Sequence, residues 1–226
     1  MEGGCETLDI PGKMLMAKGE LRTVTVGVTG ASGAVLAKKM LQLLEADAQV
    51  GRVHLVVTET GLRLFAEELG ISAGDAKQLP MRLLGAASRK LEVLSNKDVG
   101  ASIASGSHDV DAMVVIPCSM GTLGTIASGV SDDLVSRSAD VMLKEARKLV
   151  LCVRDTPFSR IHLENMLRVQ QAGAVIMPAV PAFYHHPKTI DDLVTQYVYR
   201  VMAQLDLPQV EMYHWEGSLI AKKADA

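Results

Sequence analysis

A short turn of small residues is the first part of this sequence that could do chemistry. It reads Gly30-Ala31-Ser32-Gly33 and follows the β-branched segment Thr23 to Val28. Glycine lets the backbone approach a phosphate or a ring closely, and the Ser32 hydroxyl adds a hydrogen-bonding group. An ordinary turn with a helix-capping serine explains the same residues. A dinucleotide site is a third possibility, with Glu59 as its ribose-binding acid, but a complete GxGxxG pattern is missing.

A second turn with similar chemistry spans Cys118 to Thr122 and follows the apolar segment Met113 to Ile116. Its two hydroxyls and its glycine stand at a predicted helix start. They could hold a phosphate or the edge of an isoalloxazine ring, and ordinary helix capping would explain them equally well. Cys118 has no histidine near it in sequence, so a buried structural thiol is favoured over a nucleophile.

Cationic side chains follow the second turn. Arg137 and Lys144 are seven residues apart, which places them on roughly one face of a helix. A salt-bridged surface helix would explain both equally well. Arg154 and Asp155 come directly after another apolar segment, Leu149 to Val153. The clustering of these charges near the second turn favours a functional site.

Apolar periodicity predicts the elements that position these residues. Short strands are predicted at six segments: Thr23 to Val28, Val53 to Val57, Leu91 to Leu94, Met113 to Ile116, Leu149 to Val153 and Ala174 to Met177. The last three are continuous apolar runs, as in strands buried on both faces. Helical spacing predicts helices over 34–46, 62–69, 81–89 and 190–205. This alternation indicates a single-domain α/β fold, a doubly wound parallel sheet in a Rossmann- or flavodoxin-like three-layer sandwich. Ligands of such sheets bind beyond the carboxyl ends of the strands, where the two turns should meet.

Composition and charge narrow the class of protein. The chain has 226 residues, of which 48% are hydrophobic and 22% charged, as in a globular domain. A net charge of −3 offers no basic field for nucleic acid or an anionic membrane. The three cysteines lack zinc or disulfide spacing, so we expect no metal and a reducing, cytoplasmic compartment. Residues 1–20 are predicted to form an N-terminal extension without a signal peptide, 21–208 the α/β domain and 209–226 a C-terminal tail.

Several motifs together resemble the flavin prenyltransferases of the UbiX type. They are TGASG (29–33), ASGS (104–107), PCSMGTL (117–123), SRSADVMLKEARKLVL (136–151), RDTPFS (154–159), HLENM (162–166) and GAVIMPAVPAFYHHP (173–187). The resemblance covers about residues 24–208. It implies that FMN is held by residues at the predicted strand ends, namely Gly30, Ala31, Ser32, Thr58, Ser119, Met120, Gly121, Thr122 and Arg154. It also implies that Tyr184 and Arg200, together with Lys144, bind a prenyl phosphate.

The same resemblance implies a reaction and its partners. A dimethylallyl group would pass from dimethylallyl monophosphate to N5 and C6 of reduced FMN, the prenyl acceptor, without a metal. The prenylated FMN would then serve a partner decarboxylase. Members of this family form homo-oligomers, and by resemblance we expect a dodecamer in which adjoining subunits complete each site.

Catalytic roles fall, by this resemblance, on five residues: Ser32, Glu68, Arg137, Lys144 and Asp155. Arg137 and Lys144 would join Tyr184 in a cationic pocket that neutralises the departing phosphate, with Tyr184 as the acid. Ser32 would lie near N5 of the flavin. Asp155 stands where the family usually has glutamate, and its side chain is one methylene shorter.

Two other functions share part of this pattern. The flavin-dependent cysteinyl decarboxylases resemble this fold but use a histidine early in the chain and a later Asn-Met motif. Here His54 falls inside a predicted strand and Asn165-Met166 inside a helix, so neither is placed for that role. A non-catalytic FMN-binding protein would need the two turns but not the cations. Both remain alternatives to the prenyltransferase.

Overall fold

Strands and helices alternate along the chain in the computed structural model, which describes residues 21–72, 74 and 78–215. In chain order the elements are β1 (Arg22–Val28), α1 (Ala34–Ala46), β2 (Val50–Val57), α2 (Glu59–Leu69), α3 (Leu79–Leu84), β3 (Leu91–Ser95), β4 (Ala112–Cys118), α4 (Met120–Ala127), α5 (Leu134–Lys144), β5 (Lys148–Val153), α6 (Arg160–Gln171), β6 (Val175–Ile176) and α7 (Ile190–Gln204). A 3-10 turn, Ser102–Ala104, precedes β4. The predicted N-terminal extension, 1–20, lies outside the described residues.

The six strands form one parallel sheet in the order β3-β2-β1-β4-β5-β6. The chain first builds outward from β1 to β3 and then returns to place β4 on the other side of β1. This reversal is the topological switch point of a doubly wound sheet, and ligands bind at the strand ends beside it. The predicted α/β fold is confirmed, and the site is expected above β1 and β4.

Two apolar cores cover the two faces of the sheet. On one face Val24 and Val26 of β1 pack with α1, α2, α3 and α7. On the other face Met113 and Val115 of β4 pack with α4, α5 and α6. The whole of β4 is buried, as a continuous apolar run in a parallel sheet predicts. Within the described ranges, no helix is both long and apolar enough to cross a membrane.

The predicted element boundaries are close to those of the structure, and local capping explains the differences. The helix predicted over 34–46 is confirmed at α1. The helix predicted from residue 62 begins at Glu59, because the Thr58 side chain accepts a hydrogen bond from the Gly61 N–H and caps it. The helix predicted over 81–89 ends at Leu84, where Gly85 adopts a φ of 75°.

The first residues of the predicted C-terminal tail pack against the domain. Gln209 donates a hydrogen bond of 2.9 Å to the Asp47 carboxylate. The backbone N–H of Tyr213 donates to the Gln196 side chain on α7 at 2.9 Å. Two residues of the predicted tail, Gln209 and Tyr213, therefore contact the α/β domain. The remaining tail residues, 216–226, lie outside the described part of the chain.

Candidate active site

The first predicted turn lies between β1 and α1 and packs tightly against α2. A Cβ atom on Gly30 would lie 2.5 Å from both Cβ and Oγ1 of Thr60, so a larger residue cannot stand there without movement. Gly33 adopts a φ of 126°, a conformation that favours glycine. Ala31 is buried and Ser32 is exposed. The turn therefore presents the Ser32 hydroxyl at the carboxyl end of the sheet.

The carboxylate of Glu68, at the end of α2, occupies the N-terminus of α1. It accepts hydrogen bonds from the backbone N–H groups of Gly33 at 3.1 Å and Ala34 at 2.8 Å. Partial burial raises the pKa of Glu68, but the hydrogen bonds that it accepts, one of them from Ser32, and the charge of Arg154 outweigh burial and lower this pKa overall. Glu68 is therefore ionised at neutral pH beside the first turn.

This placement of Glu68 bears on the dinucleotide alternative. In a dinucleotide site the pyrophosphate binds at the N-terminus of the first helix, where free N–H groups and the helix dipole favour an anion. Here the carboxylate of the chain itself already accepts the hydrogen bonds of Gly33 and Ala34. A second anion at that point would be repelled. The geometry therefore disfavours NAD.

The second predicted turn lies beside the first and is connected to it through Thr29. The Thr29 Oγ1 donates to the Pro117 carbonyl at 2.9 Å and accepts from the Ser119 N–H at 2.8 Å. Ser119 caps α4 by accepting a hydrogen bond from the Thr122 N–H at 3.3 Å. A Cβ atom on Gly121 would meet nothing closer than 3.9 Å, so this part of the turn is open. The two turns thus lie together at the carboxyl ends of β1 and β4.

A polar cavity of about 360 Å³ opens between the starts of α2, α4 and α5. Hydroxyl groups make up much of its wall, contributed by Thr58, Thr60, Ser119, Thr122, Thr125 and Ser136. The acids Glu59, Asp132 and Asp133 also line it, and Asp133 is engaged as the cap of α5. Met120 instead packs against the core beneath α4. Hydroxyls and helix-start N–H groups suit a phosphate or a polyol chain.

Arg154 follows β5 and lies next to the second turn. Its backbone N–H donates to the Cys118 carbonyl at 3.1 Å. Its side-chain Nε is buried and has no hydrogen-bond partner among the described residues. A buried guanidinium nitrogen without a partner costs free energy, so this position suits a ligand with acceptor atoms. Among the described residues, the neighbouring Asp155 carboxylate accepts a single hydrogen bond, the local one from the Thr156 N–H at 2.8 Å.

The residues predicted to bind the prenyl phosphate, Tyr184 and Arg200, line one cavity of about 140 Å³ beyond β6. Aromatic rings gather at this cavity. The ring centroid of Tyr184 lies 5.2 Å from that of Tyr213 and 6.1 Å from that of Trp215. These two rings are not among the predicted site residues, because only the folded chain brings its tail back to Tyr184.

Arg137 and Lys144 lie on α5, in the opposite helix layer from α7, which carries Arg200. Helix α5 covers one face of the sheet and α7 covers the other. Lys144 ends α5 shortly before β5 begins, so it lies toward the amino ends of the strands, where its ammonium group pairs with Glu145. The seven-residue spacing of Arg137 and Lys144 predicts that they share a helix face, but it does not predict which end of the strands each side chain lies near.

Residues 104–107, which form one of the sequence motifs, pack directly on these two cations. The Ala104 carbonyl accepts a hydrogen bond of 3.1 Å from Arg137 Nε. A Cβ atom on Gly106 would meet the Glu145 carboxylate first and would lie 2.7 Å from Lys144 Nζ, so this ion pair rests directly on the loop. The two serine hydroxyls of the loop lie 2.8 Å apart. Both cations are already paired with carboxylates, Arg137 with Asp140 and Lys144 with Glu145.

The other reactive side chains of the described residues do not form a second catalytic centre. Burial raises the pKa of the Cys118 thiol far above its usual value and that of Cys152 to about 12, so both are neutral thiols near pH 7. His54 is buried within β2, and Asn165 lies on α6, which disfavours the cysteinyl decarboxylase alternative. Within residues 21–72, 74 and 78–215, no three His, Cys, Asp or Glu side chains are grouped to hold a metal ion.

Known proteins resemble this chain over most of its length. Residues 15–202 match the family model described as Flavoprotein. The flavin prenyltransferase UbiX of Halalkalibacterium halodurans is 44% identical over 191 residues, which cover 84% of this chain and 92% of the relative. The crystal structure of AnUbiX (PadA1) in complex with FMN and dimethylallyl pyrophosphate is 42% identical, with a TM-score of 0.78, and the match covers 88% of this chain and 100% of that one.

A second solved structure, the dodecameric FMN-dependent UbiX-like decarboxylase from Escherichia coli O157:H7, is also 42% identical, with a TM-score of 0.77. The match covers 86% of this chain and 100% of that one. The family predicted from the motifs is thereby confirmed. The chain belongs to the flavoprotein family and, within it, to the flavin prenyltransferases of the UbiX type.

Proposed function

We propose that this chain transfers a dimethylallyl group from dimethylallyl monophosphate to N5 and C6 of reduced FMN without a metal, and that a partner decarboxylase uses the product. The observation that carries the proposal is that Tyr184 and Arg200, the residues expected for the donor phosphate, line one cavity. The solved relative AnUbiX, which holds FMN together with dimethylallyl pyrophosphate, supports FMN and a dimethylallyl phosphate ester as the substrates.

FMN fits the residues at the carboxyl ends of the strands. The buried Arg154 Nε has no partner, the first turn has no side chain at Gly30, and the second is open at Gly121. Reduced FMN supplies an electron-rich ring as the prenyl acceptor. The residues that would hold it are Gly30, Ala31, Ser32, Thr58, Ser119, Met120, Gly121, Thr122 and Arg154.

The Tyr184 and Arg200 cavity suits the departure of a monophosphate. Breaking the allylic C–O bond requires neutralisation of the phosphate charge and a proton donor. Arg200 supplies positive charge and the Tyr184 hydroxyl a proton at the same cavity. Tyr213 and Trp215 add aromatic rings around Tyr184. The faces of such rings stabilise a developing allylic cation.

A second subunit would contribute Arg137 and Lys144. Within one subunit these cations belong to the other helix layer and lie in a patch beside residues 104–107, where Arg137 pairs with Asp140 and Lys144 with Glu145. A homo-oligomer that places this patch of one subunit opposite Tyr184 and Arg200 of another would assemble the whole cationic pocket. The UbiX-like relative from Escherichia coli is dodecameric, which supports the same assembly here.

Ser32 and Glu68 would handle a proton beside the flavin. The ionised Glu68 carboxylate accepts a hydrogen bond from the Ser32 side chain, so a proton that leaves a ring carbon can pass through the Ser32 hydroxyl to a Glu68 oxygen. Asp155 is a further proton carrier beside Arg154, with a carboxylate that only a local N–H engages. These roles assign all five predicted catalytic residues.

The proposal is tested by incubating the protein anaerobically with reduced FMN and dimethylallyl monophosphate, without added metal. Mass spectrometry should show a flavin heavier by one five-carbon prenyl unit. Lys144→Ala should keep FMN binding and lose about 100-fold or more of the transfer rate, because phosphate departure loses a cation. Lys148→Ala is the matched control, since both lysines are ion-paired and their side chains are 45% and 44% exposed.

Two results would overturn the proposal. The first is bound FMN whose mass never changes, with monophosphate and diphosphate donors alike. That outcome would leave two alternative functions, a cysteinyl decarboxylase and a non-catalytic FMN-binding protein. The second is equal transfer by Lys144→Ala and Lys148→Ala, which would remove Lys144 from the mechanism.

A further inference from the structure

The side chain of Arg147 holds the loop 104–108, which precedes β4. Its Nη1 donates to the His108 carbonyl and its Nη2 donates to the Gly106 carbonyl, each at 2.8 Å. A guanidinium group presents these two donors in one rigid plane, so it can bind two carbonyls of the same loop at once. The side chain is partly buried. Arg147 therefore connects the segment between α5 and β5 to the loop.

The end of α5 fixes the direction of Arg147. The chain turns at Ala146, which adopts a φ of 52°. The Arg147 N–H donates to the Met142 carbonyl at 2.8 Å, and the Ala146 N–H donates to the Leu143 carbonyl at 3.1 Å. This pair of bonds is the Schellman motif that ends many helices. Because β5 begins at the next residue, the backbone is fixed on both sides of Arg147.

The loop 104–108 also contacts the two cations that the proposed function assigns to phosphate departure. The Ala104 carbonyl accepts a hydrogen bond of 3.1 Å from Arg137 Nε. Gly106 rests on the ion pair of Lys144 and Glu145, whose atoms a Cβ at this position would meet first. A shift of the loop would therefore displace both cations.

Hydrogen bonds within the loop do not fix its position on α5. The His108 N–H donates to the Ser105 carbonyl at 3.1 Å, and the hydroxyls of Ser105 and Ser107 lie 2.8 Å apart. These bonds join residues two or three apart, so they set the shape of the loop alone. Both serines are exposed, so burial holds this part of the loop weakly. The two bonds from Arg147 are contacts that set its place.

We propose that Arg147 is a positioning residue for prenyl transfer, because its guanidinium group fixes the loop on which Arg137 and Lys144 rest. The inference rests on the proposed function for the role of those two cations. Lysine at this position would keep the positive charge but could not hold two carbonyls in one plane. The rate of transfer should therefore depend on the shape of the side chain, and FMN affinity should not, since the cations act on the departing phosphate.

Hydrogen exchange followed by mass spectrometry tests the structural step without turnover. In the wild type, local hydrogen bonds protect backbone N–H groups of the loop 104–108. In Arg147→Lys these groups should exchange about tenfold faster in the intact oligomer, because the loop opens more readily. Arg82→Lys is the matched control. Arg82 holds another loop through hydrogen bonds of 2.7 and 2.9 Å to Ser72, and its replacement should leave exchange at 104–108 unchanged.

Single-turnover transfer from dimethylallyl monophosphate gives a second readout. Arg147→Lys and Arg147→Ala should each lower the rate constant about tenfold and keep the FMN affinity of the wild type. Methylguanidinium, added at a non-denaturing concentration, should restore part of the rate of Arg147→Ala, because it supplies the missing planar donors. Ammonium at the same ionic strength should not. Arg82→Lys should transfer at the wild-type rate.

Three results would overturn the inference. The first is unchanged exchange at 104–108 in Arg147→Lys, and the second is faster exchange there with an unchanged transfer rate. The third is equal rescue of Arg147→Ala by methylguanidinium and ammonium, because charge alone would then be sufficient. If the wild type transfers no prenyl group, the proposed function fails, while the exchange comparison still decides whether Arg147 holds the loop.

Discussion

The carboxylate of Glu68 accepts a hydrogen bond of 2.8 Å from the backbone N–H of Ala34, 34 residues earlier in the chain. The helix α1 is thus capped by a residue from α2 and not by its own N-cap, Gly33, which has no side chain. The Ser32 side chain is hydrogen-bonded to the same carboxylate. The Glu68 carboxylate therefore both caps α1 and contacts the proposed catalytic residue Ser32.

Replacement of Glu68 should separate these two effects. Glu68→Ala should lower the free energy of unfolding by about 1 kcal/mol, because the N-terminus of α1 loses its cap. Glu68→Gln should lose less stability but as much prenyl transfer, since an amide cannot take a proton. Urea unfolding and single-turnover kinetics measure the two effects. Glu67→Ala is the control, because its exposed pair with Arg63 should contribute little to stability.

The pH dependence of Glu68 follows from its lowered pKa. The folded state holds the carboxylate ionised more strongly than the unfolded chain does. Its contribution is therefore complete above the ordinary carboxyl pKa and is lost as pH falls through the lower, folded value. Glu68→Gln should flatten this part of the acid unfolding curve. A curve identical to that of the wild type would contradict the assignment.

Arg154 should govern flavin affinity. Arg154→Ala removes a charged hydrogen-bond donor that has no partner among the described residues, so FMN should bind about 30-fold more weakly, equivalent to about 2 kcal/mol. Arg154→Lys should recover only part of the loss, because lysine lacks the planar fork. Flavin fluorescence titration measures the affinity. The control Arg160→Ala should bind FMN as the wild type does, since Arg160 is exposed and, among the described residues, pairs with Glu164. Equal losses of FMN affinity in Arg154→Ala and Arg160→Ala would contradict the prediction.

Mixed oligomers should reveal whether the donor site spans two subunits. Lys144→Ala and Arg200→Ala should each be inactive alone. If subunits are unfolded together and reassembled at equal amounts, about a quarter of the sites would combine an intact Lys144 with an intact Arg200 from a neighbour. Activity should return to about that fraction of the wild type. No recovery, with native-size oligomers in light scattering, would place both residues in the same subunit's site.

His54 should make the folded state sensitive to mild acid. The pKa of His54 is lowered, mainly because the side chain is buried. The negative charge of Glu92 raises this pKa, whereas His108 and Arg52 lower it further, and the net effect is a lowered pKa. Below about pH 6.5 the unfolded chain takes up a proton that the folded chain refuses, so stability falls as pH falls, by at most about 1.4 kcal/mol per pH unit. Thermal unfolding between pH 7.5 and 5.5 measures the slope, which His54→Gln should reduce. An equal reduction in the control His186→Asn, at an exposed position, would point to another group.

The strand-end turns of this site could be predicted from sequence because their signals are local. A β-branched strand, a glycine turn and a helical repeat follow one another at 23–46, and the structure places α1 at the predicted bounds. In a parallel sheet, the carboxyl ends of the strands share one edge by necessity. The proximity of Ser32 and Ser119 therefore followed from the fold class alone.

The positions of the other site residues could not be predicted, because they depend on contacts between segments that are far apart in the sequence. The side chain of Glu68 reaches the first turn only because α1 and α2 pack together, and the exposed helix face around it carries other acids. Trp215 reaches Tyr184 because the chain folds back after α7. Helical spacing predicted that Arg137 and Lys144 share a face, but the position of α5 in the sheet decides which edge Lys144 meets. These placements depend on how helices and strands pack together, which the periodicity of apolar residues along the sequence does not reveal.

Thr29 joins β1 to β4 across 88 residues of sequence, at the point where two halves of the sheet meet. The proposed flavin-binding residues lie on both halves, with Thr58 after β2 and Arg154 after β5. A bound flavin would bridge the halves and, because it binds only the folded chain, would oppose their separation. Proteases cut chains that open transiently. The supply of flavin would then set the lifetime of this protein as well as its activity.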